Sequence, residues 1–427
     1  MKGLLLLALA LLLGSQLGLA QATYLHCGKL IDGVTDQAQT EMTVVVEGNT
    51  ILRVEKGYRK PGKNERAIDL KDRTVMPGFI DLHVHIEKVF NKASYLERFT
   101  LNEADIAFRA AKNAKTTLMA GFTTVRDLGG TGVNIALRKA IARGIADGPR
   151  IYTAGQIIAI TGGHGDPTNG YRKGLADPPG LDEGVANGPD ECRAAVRTQV
   201  KNGADCIKIT ATGGVLSVAR DGSRPQFTQA EIDAIVETAN DFGIHVAAHA
   251  HGDEGMQRAI RGGVRTIEHG TFMSEATMDL MKARGTWYVP TITAGNSVAD
   301  SAKIPRYFPD VITPKALHVG PQIAETFAKA YKKGVKIAFG TDAGVFEHGY
   351  NALEFALMVE GGMPPMEAIQ CATMRAAEVL DETERLGSIE PGKLADIVAC
   401  GADPLQDITA LQNIRFVMKN GRVYKQE

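Results

Sequence analysis

The sequence predicts an α/β chain built as a (β/α)8, TIM-like barrel, with a small β-sandwich assembled from both chain ends. Three observations carry that prediction. A helix–glycine–strand phrase recurs between residues 74 and 344, the strands in it are short and apolar, and strand-and-turn patterning is confined to the flanks. Continuous apolar strands separated by helices indicate parallel pairing with both faces covered, and eight such units suit a closed barrel. An open doubly wound sheet would need a Gly-rich phosphate turn near its first strand, and none stands there.

In chain order, "TVMPGFIDLHVH" (74–85) reads as the first strand, "LMAGFTTVRDLGG" (118–130) as the second and "RIYTAGQIIAI" (150–160) as the third. The fourth lies in "KNGADCIKIT" (201–210), the fifth in "NDFGIHVAAHAHG" (240–252) and the sixth in "IRGGVRTIEHG" (260–270). "KARGTWYVPTI" (282–292) and "YKKGVKIAFGTDAG" (331–344) complete the set. Glycine suits each helix C-terminus because it tolerates positive φ, and the basic residues before it complement the negative helix end. Thr228-Gln-Ala-Glu231 has capping-box spacing and predicts a helix start; "NALEFALMVEGG" (351–362) predicts a helix after the last strand. Residues 23–75 and 386–427 read as short strands with turns. Neither piece has enough strands to bury its own face, so the two are expected to form one composite β-sandwich beside a barrel of residues 76–385.

Residues 1–22, "MKGLLLLALALLLGSQLGLAQA", have one lysine, a leucine-rich core and an A-x-A arrangement at Ala20-Gln21-Ala22. That is the pattern of a secretory signal peptide, and its core is too short to span a bilayer. The expectation is an exported protein, periplasmic or secreted, with no membrane attachment after cleavage. A hydrophobic fraction of 44% supports a sizeable core. The formal net charge of −1, with no long block of one sign, argues against nucleic-acid binding by phosphate neutralisation. Five cysteines at 27, 192, 206, 371 and 400 are too few for a disulfide scaffold, so a metal site must rest on His, Asp, Glu or Lys.

Functional residues of such barrels sit at the C-terminal strand ends. Those ends carry His83 and His85 on strand one, Lys208 on four, His249 on five, His269 on six and Asp342 on eight. Alternation along a strand puts His83 and His85 on one face. That suits either a metal taking nitrogen ligands or two strand-end histidines bonded to neighbours. Lys208 stands in an apolar strand. It either pairs with a carboxylate such as Asp205 or Glu268, or is neutral through burial and adds carbon dioxide to give a carbamate. Two dications about 3.5 Å apart repel by roughly 20 kcal/mol at an effective dielectric of about 20, so bridging anions must offset them. A carbamate, a hydroxide and Asp342 would supply three negative charges.

His-x-His, the strand-four lysine, two further histidines and the last aspartate together resemble the binuclear branch of the amidohydrolase superfamily. The resemblance runs from "TVMPGFIDLHVH" to "GSIEPGKLADIVA". Within it, "TGGHGD" (161–166), "IKIxATGG" (207–214), "HAHG" (249–252) and "TIEHG" resemble the Xaa-Pro dipeptidase-like group, which includes enzymes that hydrolyse the amide of ochratoxin. The resemblance implies two divalent metal ions, zinc being the natural pair for nitrogen and carboxylate ligands. His83, His85 and Asp342 would hold the first, His249 and His269 the second, and N6-carboxylated Lys208 would bridge them. A metal-bridging hydroxide would attack the scissile carbonyl, with Asp342 as general base and then acid. It also implies a small-molecule amide or dipeptide substrate with a free carboxylate, prolyl or hydrophobic at its terminus, and a homo-oligomer.

His251 shares a strand face with His249; the resemblance assigns the metal to His249 and the pocket wall to His251. His251-Gly-Asp-Glu254 also matches the His-x-x-Glu of one-metal deaminases, which keeps a cyclic-amide hydrolase or deaminase as the alternative. Lys208 weighs against it. His164, in a Gly-rich loop, is expected at the barrel mouth as a substrate contact. Arg220 could clamp a substrate carboxylate; Arg224 could too, and either could instead be solvated. A nucleotide is discounted for want of a P-loop Lys-Ser/Thr, and a serine nucleophile for want of an elbow motif.

Overall fold

The computed structural model describes residues 21–218 and 222–427. Apart from its last two residues, the predicted signal segment lies outside them, and so does Arg220. The N-terminal flank forms β1 (Thr23–Leu30), β2 (Gln39–Glu47), β3 (Thr50–Lys56) and β4 (Arg66–Pro77). The middle of the chain supplies β5 (Phe79–Val84), β6 (Phe122–Asp127), β7 (Arg150–Thr153) and β8 (Ile207–Thr210). These are followed by β9 (Val246–Ala250), β10 (Thr266–His269) and β11 (Trp287–Val289). The C-terminal flank adds β12 (Ile397–Cys400), β13 (Ile414–Lys419) and β14 (Arg422–Gln426).

Both flanks lie in one seven-stranded sheet, ordered β14-β13-β12-β4-β1-β2-β3. Its inward alternation, with Leu25, Val44, Ile68, Ile397 and Phe416 all buried, makes a separate core cluster. The middle strands form two parallel sheets, β5-β6-β7 and β11-β10-β9-β8, with helices between successive strands. The helix Gln229–Asp241 begins at Thr228, whose hydroxyl accepts from Glu231 N while Glu231 reaches back, as the spacing predicts. Glycines 203, 263, 285 and 334 end four helices in the left-handed conformation, where a side chain would be strained.

Two readings of the strand pattern are corrected. Residues 74–85 are not one strand: Gly78 divides them, leaving Thr74–Pro77 on β12 of the terminal sheet while Phe79 begins β5. Gly78 is required there because a Cβ would meet Thr123 Oγ1 at 2.2 Å. The eighth strand forms no regular ladder, only isolated parallel bridges, Ile337 with Tyr288 and Ala343 with Val84. Its backbone turns through a φ of 60° at Asp342, which breaks ladder geometry. A third bridge joins Ile158 to Ile209, between β7 and β8.

No helix among the described residues is long and apolar enough to cross a membrane. Four buried phenylalanines tie the strands to the helix Leu353–Glu360: ring centroids lie 5.1 Å apart for Phe79–Phe355, 5.7 Å for Phe122–Phe339 and 4.4 Å for Phe339–Phe355. Phe355→Ala is expected to cost about 3–5 kcal/mol, read as a lower urea midpoint at unchanged slope.

Candidate metal centre

All six predicted strand-end residues converge. His83 lies in β5 and His85 just beyond it; Lys208 lies in β8, His249 in β9, His269 at the end of β10 and Asp342 in the irregular eighth segment. Asp342 Oδ1 is 3.4 Å from His85 Nε2 and 3.6 Å from His83 Nε2, and Lys208 Nζ is 3.5 Å from His83 Nε2. The His269 ring lies 5.0 Å from that of His83 and 4.7 Å from that of His249. Ligating atoms of His83, His269 and Asp342 all fall within 4.8 Å of one another.

Two of these residues hold backbone conformations that side chains rarely adopt: His269 at φ 69° and Asp342 at φ 60°. Such positions cost of order 1 kcal/mol or more and persist only where the surroundings impose them. Asp81 imposes the second. Its fully buried carboxylate accepts from Thr341 N at 3.1 Å, Thr341 Oγ1 at 2.6 Å, Asn351 Nδ2 at 2.8 Å and His83 N at 3.1 Å. It thereby locks the turn before Asp342 to the strand carrying His83.

Hydrogen bonds behind the site fix which imidazole nitrogens face it. His85 Nδ1 is 2.8 Å from Gly129 O, and a carbonyl can only accept, so Nδ1 carries the proton and Nε2 presents a lone pair. His83 Nδ1 donates to Glu268 Oε2 at 2.8 Å, again freeing Nε2. His249 is held the other way round, Nε2 to Gly213 O at 3.1 Å, which frees Nδ1. The two Nε2 lone pairs therefore face Asp342 Oδ1, itself buried and without a hydrogen-bond partner. Electron pairs aimed at one another in a dry interior repel unless a cation or a shared proton lies between them. Tetrahedral coordination with bonds near 2.0 Å separates ligand atoms by about 3.3 Å, close to the spacings here. The donor set fits a divalent cation.

Burial holds every histidine of the site below its ordinary titration range: His85, His164 and His251 to about 3, and His83, His249 and His269 well below the usual imidazole value. All are neutral, as ligands must be. Desolvation likewise holds the Lys208 ammonium below the usual lysine range and the Asp342 carboxyl above the usual aspartate range. Neither carboxylate considered as a Lys208 partner is uncommitted: Asp205 pairs with Arg138, and Glu268 with Arg126, His83 and Thr266.

His164 is half-buried rather than exposed at a mouth. It stacks on His249 with centroids 4.5 Å apart, and its Nδ1 is buried without a partner. The His251 ring lies 4.6 Å from His249 and 5.1 Å from His269, held by Nδ1 to Thr271 Oγ1 at 2.7 Å. Lys315, which the sequence pattern did not single out, reaches from the helix Thr313–Lys333 to Gly214 O and Ser217 O and fastens the segment after β8. Also missed were Arg126, Asp81 and Glu354. The only available signal was a charged residue inside an apolar stretch.

The fold and the buried nitrogen–carboxylate cluster define an α/β protein with a candidate metal centre. The Amidohydrolase family matches residues 74–424, and the chain belongs to that family. A solved Xaa-Pro dipeptidase with methionine in its active site is 52% identical, with a TM-score of 0.93 over 95% of this chain and all of its own. Ochratoxinase of Aspergillus niger is 32% identical over 95% of this chain and 87% of its own length. A solved prolidase complexed with N-methylphosphonate-L-proline is 32% identical, with a TM-score of 0.86 over 95% of this chain and all of its own. The protein is a hydrolase.

Glu354 supports the strand-six ligand indirectly. It accepts from Ile292 N and Thr293 N, both at 2.8 Å, beside Thr291, whose hydroxyl meets His269 Nδ1 at 2.8 Å. Burial pushes Glu354 up to about 7 from 4.5. Its proton is thus bound more tightly folded than unfolded, and stability falls as pH rises from about 4.5 towards 7. Glutamine has no such loss. Glu354→Gln is expected to gain on wild type by about 3 kcal/mol between roughly pH 4 and pH 8, compared by urea unfolding at each pH.

Proposed function

We propose that this hydrolase cleaves the amide bond of a dipeptide or N-acyl amino acid with a free carboxylate. Xaa-Pro dipeptides, hydrophobic C-terminal residues and ochratoxin-like amides fall within the class. The observation that carries this reading is the convergence of His83 and His85 lone pairs on the partnerless Asp342 oxygen, next to a buried Lys208. The similar dipeptidase, prolidase and ochratoxinase support the reaction class.

His83, His85 and Asp342 would hold one zinc ion and His249 with His269 a second, with N6-carboxylated Lys208 between them. Such ions supply Lewis-acid polarisation of a carbonyl and acidify water. Asp342 takes the proton of the attacking water and returns it to the departing nitrogen, its affinity for protons already raised by burial. His251, steadied by Thr271, and His164, stacked on His249, line the substrate side. Arg220, which lies outside the described residues, or else Arg224 would clamp the substrate carboxylate. Lys208, shielded on all sides, keeps enough neutral amine to capture carbon dioxide.

The same reading takes the middle strands as one closed eight-unit barrel, supported by the bridges at Ile158–Ile209, Tyr288–Ile337 and Val84–Ala343. The seven-stranded sheet is read as a second domain, and the N-terminal segment as an export signal.

Zinc-loaded protein is expected to release proline or a hydrophobic amino acid from a panel of Xaa-Pro dipeptides and N-acyl amino acids. Chelation should abolish turnover and zinc restore it, and Asp342→Asn should lower kcat by about 100- to 10,000-fold. Turnover confined to cyclic amides or amidines, or activity indifferent to chelation, overturns the reading. Carbon-13 NMR with labelled bicarbonate should show a carbamate resonance in wild type and none in Lys208→Ala.

A further inference from the structure

Arg126 and Glu268 are both completely buried, and they form an ion pair at 2.9 Å in the interior beneath the candidate metal centre. Arg126 comes from β6 and reaches three other segments. Its Nε donates to Leu82 O of β5 at 2.8 Å, its Nη2 to Glu268 Oε1, and its Nη1 lies 3.3 Å from His245 Nε2, at the start of β9. Thr266 Oγ1 also donates to Glu268 Oε1. The other carboxylate oxygen, Oε2, accepts from His83 Nδ1 at 2.8 Å. A single chain of charge-assisted bonds therefore runs Arg126–Glu268–His83.

Stability alone is a poor account of such a pair. Two charges withdrawn from water lose solvation that their attraction does not reliably restore, and apolar replacements of buried pairs are often as stable. Geometry gives a better account. Glu268 offers His83 Nδ1 nothing but an acceptor because Arg126 and Thr266 occupy its other oxygen. One ring orientation and one tautomer remain, with Nε2 unprotonated and turned toward Asp342 Oδ1. Without Arg126 the carboxylate would be an uncompensated buried charge, free to rotate or to take a proton and donate. Without Glu268 the His83 ring would lose the acceptor that holds its Nδ1 proton.

We propose that Arg126 and Glu268 act as positioning residues that set the tautomer and orientation of His83 for metal binding. The inference rests on the metal-centre reading above. Outer-shell partners of metal-ligating histidines, when removed, typically weaken metal binding by 10- to 100-fold.

The test is titration of the metal-free full-length protein with Co2+, followed by visible absorption and by competition with a chelator, alongside circular dichroism and thermal unfolding. Glu268→Gln and Arg126→Met are each expected to weaken Co2+ binding by about 10- to 100-fold and to shift the visible bands. The double variant should lose less than the product of the two, because the residues act in series. In metal-free wild type, the histidine 15N spectrum, with His83 assigned by His83→Asn, should show His83 protonated at Nδ1. Glu268→Gln should give a mixture. Folded Glu268→Gln and Arg126→Met with wild-type Co2+ affinity overturn the proposal, and so does His83 protonated at Nε2 in wild type. Should neither variant fold, the wild-type tautomer decides. If wild type binds no Co2+ while His83 shows the expected tautomer, the metal-centre reading fails and the positioning geometry stands.

Discussion

Acceptors placed behind each imidazole decide which of its nitrogens is protonated, and the chemistry in front follows from that choice. Gly129 O and Gly213 O can only accept, and Glu268, paired with Arg126, accepts as well, so His85, His249 and His83 donate backwards and present lone pairs forwards. Lone pairs cannot bond to one another. Together with the partnerless Asp342 oxygen they make a small, dry region of acceptor atoms suited to a bound cation. The same dryness keeps the histidines neutral and shifts Lys208 and Asp342 towards their neutral forms.

The fold accepts local strain to bring these groups together. His269 and Asp342 stand at positive φ at the ends of their segments, where the chain must turn out of the strand direction while the side chain still points inward. Each is braced by a buried acid: Asp81 on the turn before Asp342, and Glu354 on the helix start next to Thr291, the partner of His269. At each position, more than one hydrogen bond from a neighbouring segment removes the freedom to relax.

Much of this was legible in the sequence because strand alternation and glycine placement are local rules. They brought out the strand ends and the residues His83, His85, Lys208, His249, His269 and Asp342, which the structure gathers within a few ångströms. Gly78 was misread because a glycine needed for close approach to Thr123 looks, in sequence, like any glycine inside a strand. The irregular eighth segment was misread because "VKIAFG" has strand composition, whereas the φ at Asp342 is imposed by Asp81, which is 261 positions earlier in the chain but adjacent in space. Arg126 was passed over for a similar reason, and Glu268 was weighed only as a partner of Lys208. A charged residue in an apolar strand announces that it has a partner but not which one, and both partners here lie on non-neighbouring strands.

That pattern of partnership also explains why the site is sensitive to the whole fold rather than to any loop. His85 is fixed from the segment after β6, His249 from the segment after β8, and His269 from the segment after β11. Asp342 is tied by its own N–H to His83 O at 2.7 Å. Each of these bonds joins a candidate ligand to an adjoining strand or its following loop. Glu268 crosses the interior, from β10 to β5, as Lys208 does from β8, and so couples two sides that the peripheral bonds leave independent. Such an arrangement makes ligand geometry a property of the strand assembly. A local opening at one strand end displaces one ligand and, through its single partner, the next, so that the binding geometry and the packing of the strands are gained or lost together.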